Sequence, residues 1–157
     1  MKLLAIAPNW IGDALLAQPL FALLKQRHAG AVLDVVAPAW TAPVTARMPE
    51  VDRVIATHFR HGELALGARW RLARQLRGRY DAAWVLPNSL KSALVPFLAG
   101  IPRRVGFLGE QRRVLLNEIH RLDEAALPLM ADRYAQLAVA PGEPVPRPLP
   151  RTRLTVN

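Results

Sequence analysis

Short apolar runs alternate along this chain with longer stretches in which apolar residues return every three or four positions. The runs at residues 3–7, 32–36, 53–56, 82–86 and 104–107 predict strands, and the periodic stretches between them predict helices. That alternation is the pattern of βαβ units, so the expected fold class is α/β, a mostly parallel sheet flanked by helices. In the first helical stretch Leu15, Leu16, Leu20, Leu23 and Leu24 recur until His28-Ala29-Gly30 ends the pattern. Pro19 lies inside it and predicts a kink or a late start. A second helix is expected over 63–79, with Arg69, Arg74 and Arg77 on a basic face and Gly78 as its stop. A third spans 89–99, closed by Gly100 and Pro102, and a fourth spans 127–138.

Beyond Ala140 the pattern dissolves into Pro141, Pro144, Pro146, Pro148 and Pro150. Proline at that density cannot donate ladder hydrogen bonds and favours a semi-rigid extended chain. The expected organisation is therefore one domain over 1–140 and a Pro-rich linker over 141–157. The final residues resemble the start of another strand, which suggests a truncated chain.

Composition narrows the class. At 157 residues and 52% hydrophobic, the chain can bury one ordinary core. No apolar run approaches the roughly 20 residues that span a bilayer, and the N-terminus lacks a signal-peptide pattern. The chain has no cysteine, which excludes disulfides and thiolate metal sites. The expected compartment is the cytoplasm. Mean hydropathy is +0.11 and the sequence pI is about 11.3. With 21 Lys+Arg against 12 Asp+Glu, the net charge of +9 favours anionic partners such as phosphorylated sugars, an anionic membrane surface or nucleic acid. A simple compositional bias toward arginine explains the same excess. The basic residues are not interleaved with stacking aromatics, so nucleic acid is not the expected partner.

Familiar catalytic signatures are missing. There is no GxGxxG after the first strand, no GxxxxGK[ST], no HExxH and no GxSxG. The histidines His28, His58, His61 and His120 lack ligand-like pairing, and no metal or cofactor is expected. What remains are two loops at predicted strand ends. After the first strand come Asn9, Trp10, Ile11, Gly12 and Asp13, where Gly12 permits close backbone approach and the next helix offers unpaired N–H groups to an anion. After the fourth come Asn88, Ser89, Lys91 and Ser92, again at a helix start. In open α/β sheets this edge is where ligands bind. Asp13 reads either as a complement to its helix dipole, a contribution of about 0.3–1 kcal/mol, or as a reactive carboxylate. Ser89 reads equally as an N-cap, and Trp10 and Trp40 as packed aromatics or as sugar platforms.

The stretches APNWIGDALLAQPL at 7–20, APAW at 37–40, RMPEVD at 47–52, VLPNSLKSALVPFLAGIPRRVGF at 85–107, GEQRRVLLN at 109–117 and LPLMADRY at 127–134 resemble the type II ADP-heptose:lipopolysaccharide heptosyltransferases, of glycosyltransferase family 9. The resemblance covers nearly the whole chain in order. It implies a Rossmann-like domain, the N-terminal half of a GT-B enzyme, whose C-terminal donor-binding domain lies outside this chain. It also implies inverting transfer of heptose from ADP-L-glycero-D-manno-heptose to the first heptose of the inner core, on a phosphorylated heptosyl-Kdo-lipid A acceptor at the cytoplasmic face of the inner membrane, without an essential metal. By position Asp13 matches the catalytic aspartate. Asn9, Trp10 and Gly12 are the donor-phosphate candidates. Asn88, Ser89, Lys91, Ser92, Arg60, Arg103, Arg104 and Arg112 are the acceptor candidates.

The departure from the family pattern is the stop at the linker, so this chain alone is expected to be inactive. The alternatives are a stand-alone acceptor- or anion-binding module, a basic nucleic-acid-binding protein, or a related heptosyltransferase acting on another core sugar.

Overall fold

The computed structural model describes residues 1–59, 63–109 and 113–156. Six parallel strands form one sheet: β1 (Lys2–Ile6), β2 (Val32–Pro38), β3 (Arg53–Thr57), β4 (Ala82–Val85), β5 (Arg103–Phe107) and β6 (Glu118–His120). Their spatial order is β3-β2-β1-β4-β5-β6. The order reverses between β1 and β4, which places the crevice of a doubly wound sheet beside the carboxyl ends of those two strands.

Helices cover both faces, and this explains why the central strands read as unbroken apolar runs rather than alternating ones. On one face Leu3, Ala5, Leu33, Val35, Trp84 and Val105 pack with Leu20, Phe21 and Leu24 of α2 (Gln18–Arg27) and with Tyr134 and Ala135 of α6 (Met130–Gln136). On the other, Leu4, Ile6, Val36, Ala83 and Val85 pack with Ala73 and Leu76 of α4 (Leu66–Leu76) and with Ala93 and Val95 of α5 (Leu90–Leu98). The Trp84 indole N–H, buried in the first layer, donates to the Leu137 carbonyl at 2.8 Å.

Five of the six strands fall where the apolar runs predict them. The sixth, Glu118–His120, is three residues long and carries no run. Pro19 does divide the first helical stretch: α1 (Ile11–Leu16) ends at Ala17, and α2 takes Pro19 in its first turn, where a missing N–H leaves no bond unmade. α5 closes as expected, with Gly100 at φ +68°, the Gly100 N–H on Phe97 O and the Ile101 N–H on Pro96 O. The short α3 (Ala42–Ala46) was not signalled by any periodicity.

Three expectations change, the first being that α6 covers only Met130–Gln136 rather than 127–138. α4 starts at Leu66 rather than 63, after Ala65 in the left-handed region at φ +45°. Arg69 does not lie on a basic face: it is buried, with its guanidinium 4.2 Å above the Phe59 ring and donating to the carbonyls of Leu64 and Glu63. The positions 69, 73 and 76 are the buried stripe of α4, so Arg69 had to turn inward and satisfy its donors on the preceding loop.

The Pro-rich segment lies back on the domain. Val145 and Leu149 pack against the first core layer, and Arg147 pairs with the buried Asp132 at 2.6 Å. The fully buried Gln18 side chain accepts from the Arg153 N–H at 3.0 Å and donates to the Arg153 carbonyl at 2.6 Å, reading that backbone as a strand partner would.

Candidate active site

At the crevice, β1 runs into Pro8, Asn9 and Trp10, and α1 begins immediately afterwards. Trp10 is the N-cap in extended conformation, with no side-chain cap bond, and Asp13 is the acidic residue of the first turn. Its side chain is half-buried. Among the described residues no hydrogen bond or ion pair engages the Asp13 carboxylate, so it keeps its lone pairs for a visitor. It lines a cavity of about 210 Å³ whose other walls include Asn9, Asn88, Phe107, Arg133 and Tyr134. Tyr134 registers the nearby charge: burial raises its phenol well above the ordinary range, and the Asp13 carboxylate raises it further. The Tyr134 hydroxyl is thus held protonated, a donor or acceptor beside a carboxylate.

A smaller cavity of about 60 Å³ opens on the other side of the same strand ends. Asn9 and Pro87 border both cavities, which makes the ends of β1 and β4 a shared wall. Here the lining is cationic and hydroxylic, with Lys91, Arg69, Ser89 and Ser92 beside Trp40 and Phe59. The Trp40 indole N–H donates to the Asn9 carbonyl at 2.6 Å and sets the aromatic against the β1 loop. Burial lowers the pKa of Arg69 from its usual high value, with Glu63 opposing that shift. Ser89 also caps α5: its hydroxyl accepts from the Ser92 N–H at 3.3 Å, while the Ser92 hydroxyl donates to Ser89 O at 2.6 Å. Ser89 is thus the N-cap of α5, and it and Ser92 also line the cavity.

The structure gathers Asn9, Trp10, Asp13, Asn88, Ser89, Lys91 and Ser92 around this crevice, while Gly12 follows in the exposed first turn of α1. It does not gather Arg103 and Arg104. They begin β5, in register with Ala82 and Ala83 at the opposite edge of the sheet. There Arg103 forks onto Glu118 at 3.2 and 2.9 Å, and Arg104 donates to the carbonyls of Leu115 and Ile101 with its guanidinium over Phe97. Two arginines early in a parallel strand stand a strand's length from the ligand edge, whatever loop motif they adjoin. Arg60, His61 and Arg112 lie outside the described residues. No cluster of three or more His, Asp or Glu that could hold a metal occurs among the described residues.

Sequence reasoning did not single out Tyr134, Arg133, Arg69, Phe59 or Gly109 for the site. A Cβ on Gly109 would meet the Asn88 carbonyl at 3.2 Å, so a glycine there lets the loop after β5 close against the loop after β4. The available signal for Arg133 and Tyr134 was their place at the end of the LPLMADRY stretch.

This geometry defines an α/β domain of doubly wound type with a carboxylate-bearing cleft edge. A family model described as glycosyltransferase family 9 (heptosyltransferase) matches residues 69–156, and the chain belongs to that family. Lipopolysaccharide heptosyltransferase 2 of Salmonella typhimurium and of Escherichia coli are each 48% identical to it, aligned over 100% of this chain and 47% of their own length. Lipooligosaccharide heptosyltransferase 2 of Haemophilus influenzae is 46% identical over 88% of this chain and 40% of its own. The solved structure of E. coli ADP-heptose lps heptosyltransferase II superimposes with a TM-score of 0.89 at 45% identity, covering 100% of this chain and 47% of that one. E. coli heptosyltransferase WaaC with ADP shares the fold, with a TM-score of 0.76 at 21% identity over 94% of this chain and 49% of its own. The chain spans about half the length of the curated relatives it matches.

Proposed function

We propose that this chain is the acceptor-side half of an inverting heptosyltransferase that moves heptose from ADP-heptose onto the first heptose of the lipopolysaccharide inner core. The observation that carries the reading is the unengaged Asp13 carboxylate in a cavity at the strand-order switch. The family membership and the relatives' names support heptose as the transferred sugar.

In this reading the acceptor hydroxyl sits within hydrogen-bond reach of Asp13, which takes its proton as the hydroxyl attacks the anomeric carbon. General-base assistance of this kind contributes typically about 10²–10⁴-fold. The attack displaces ADP, whose developing charge is met by Asn9, Trp10 and Gly12 at the edge and by cationic groups of the donor-binding half, which occupies the part of the relatives that this chain does not span. Lys91, with Arg69 behind it, offers positive charge to phosphate on the acceptor. Asn88, Ser89 and Ser92 supply hydrogen bonds to its sugars. Residues 141–157 act as the link to the donor half, and the enzyme works at the cytoplasmic surface of the inner membrane, where such a glycolipid acceptor is presented.

The test is a chimera that joins this chain to the carboxyl-terminal half of the Escherichia coli relative, assayed for acceptor-dependent ADP release on a deacylated inner-core oligosaccharide. Turnover by the chimera, its loss in Asp13→Asn and no turnover by this chain alone are the expected results. Near-normal turnover in Asp13→Asn would overturn the assignment of the base.

A further inference from the structure

α4 carries a surface that neither the crevice nor the core uses. Its buried stripe is Arg69, Ala73 and Leu76. A neighbouring exposed stripe, turned roughly a quarter of the way round the helix from it, runs Leu66, Trp70 and Arg74 at four-residue spacing, one above the other. Leu66 is 54% and Trp70 49% exposed, and Leu64, just before the helix, is 52% exposed. Single exposed apolar residues are ordinary; three large ones within seven residues at one end of a helix form a patch. Its other half is basic. The Arg74 guanidinium lies 4.9 Å from the Trp70 ring centroid, and Arg71 and Arg77 are exposed alongside. None of the salt bridges among the described residues involves Arg71, Arg74 or Arg77.

We propose that the Leu64, Leu66 and Trp70 end of α4, with Arg71, Arg74 and Arg77 behind it, is the surface by which this protein docks on an anionic phospholipid bilayer. An apolar tip followed by arginines on a polar face is the composition of an element that lies in the headgroup boundary. An indole suits that boundary because one edge is apolar and the other wet, and unpaired arginines answer its negative potential. The topology supports the same occupant. β3 ends at Thr57 on the ligand edge and α4 starts back from there, so the apolar tip flanks the cavity to which Arg69 contributes. A bilayer against that tip presents its headgroups at the mouth of the Lys91 cavity.

The biological partner rests on the glycolipid reading above, whereas the docking surface does not, and the experiment separates them. The chain is sedimented with vesicles of phosphatidylcholine with and without phosphatidylglycerol, none containing lipopolysaccharide. Binding that requires phosphatidylglycerol and falls about tenfold or more both in Leu66→Ser/Trp70→Ser and in Arg71→Gln/Arg74→Gln/Arg77→Gln, with unchanged thermal melting, is the expected result. Parent-like binding by either variant, or no binding by the parent, would overturn the proposal. In the chimera, Leu66→Ser/Trp70→Ser should leave turnover on the soluble oligosaccharide unchanged and lower it on vesicle-embedded acceptor. Vesicle binding without turnover on either acceptor would instead sink the heptosyltransferase reading and leave the docking surface standing.

Discussion

The two edges of the sheet handle charge in opposite ways. At the amino edge and along the early strand residues, several ionisable groups are paired: Arg103 with Glu118, Lys25 with Asp52, and the buried Asp34 with both Arg53 and the Tyr80 hydroxyl. Burial and the Asp34 carboxylate together push the Tyr80 phenol up to about 12, so it donates to Asp34 as a neutral group. At the carboxyl edge Asp13 and Lys91 have no ion-pair partner among the described residues and face cavities on either side of a shared wall. Matched charges stabilise the fold and are already occupied; unmatched ones are available to a ligand. Arginine at one edge and lysine at the other therefore carry different meanings, although both lie in one stretch of sequence.

The largest test of that contrast is Asp13→Asn in the chimera. Turnover should fall about 10²–10⁴-fold while the melting temperature holds, because no partner loses a bond; a parallel loss of stability would show Asp13 to be structural. Next comes Lys91→Ala, expected to raise the KM for phosphorylated acceptor about tenfold, the loss of one charge-assisted contact, with little effect on unphosphorylated acceptor. An equal effect on both would remove Lys91 from phosphate recognition. Arg104→Ala should do the reverse, lowering stability by about 1 kcal/mol by leaving the Leu115 and Ile101 carbonyls to water and leaving KM alone. Unchanged urea unfolding, or a shifted KM, would erase the distinction between the edges.

The smallest effect concerns His120, fully buried against Phe107 with neither ring nitrogen hydrogen-bonded among the described residues. Burial lowers its pKa from 6.5, with Arg103 acting in the same direction and Glu118 against it. The folded state therefore binds its proton less readily than the unfolded state. The neutral histidine's contribution is fully present above about pH 6.5 and is lost as pH falls below it toward the folded pKa. His120→Phe should flatten that acid-side loss in urea titrations. An unchanged pH profile would show that another group is responsible.

Several features are legible in the sequence. Five strands announced themselves because a parallel strand buried on both faces must be apolar throughout, and the division of α1 from α2 followed from one proline. Glu118–His120 stayed hidden because three residues at a sheet edge have no period to display. Arg69 was misplaced by its residue type, although its spacing with Ala73 and Leu76 was the correct guide. The Pro-rich segment is expected to be extended from its prolines, but its attachment through Gln18 joins residues 135 positions apart, a distance no local pattern spans.

Within the sequence alone lay the α/β class, the two loops that meet at the cleft, the family resemblance and the place of Asp13 in the turn after the first strand, because these depend on local periodicity, turn chemistry and motif order. The tertiary structure decided which charges are free. Whether an arginine faces a ligand or a carbonyl depends on which strand end it occupies and what packs over it, and that follows from the order of strands in space rather than along the chain.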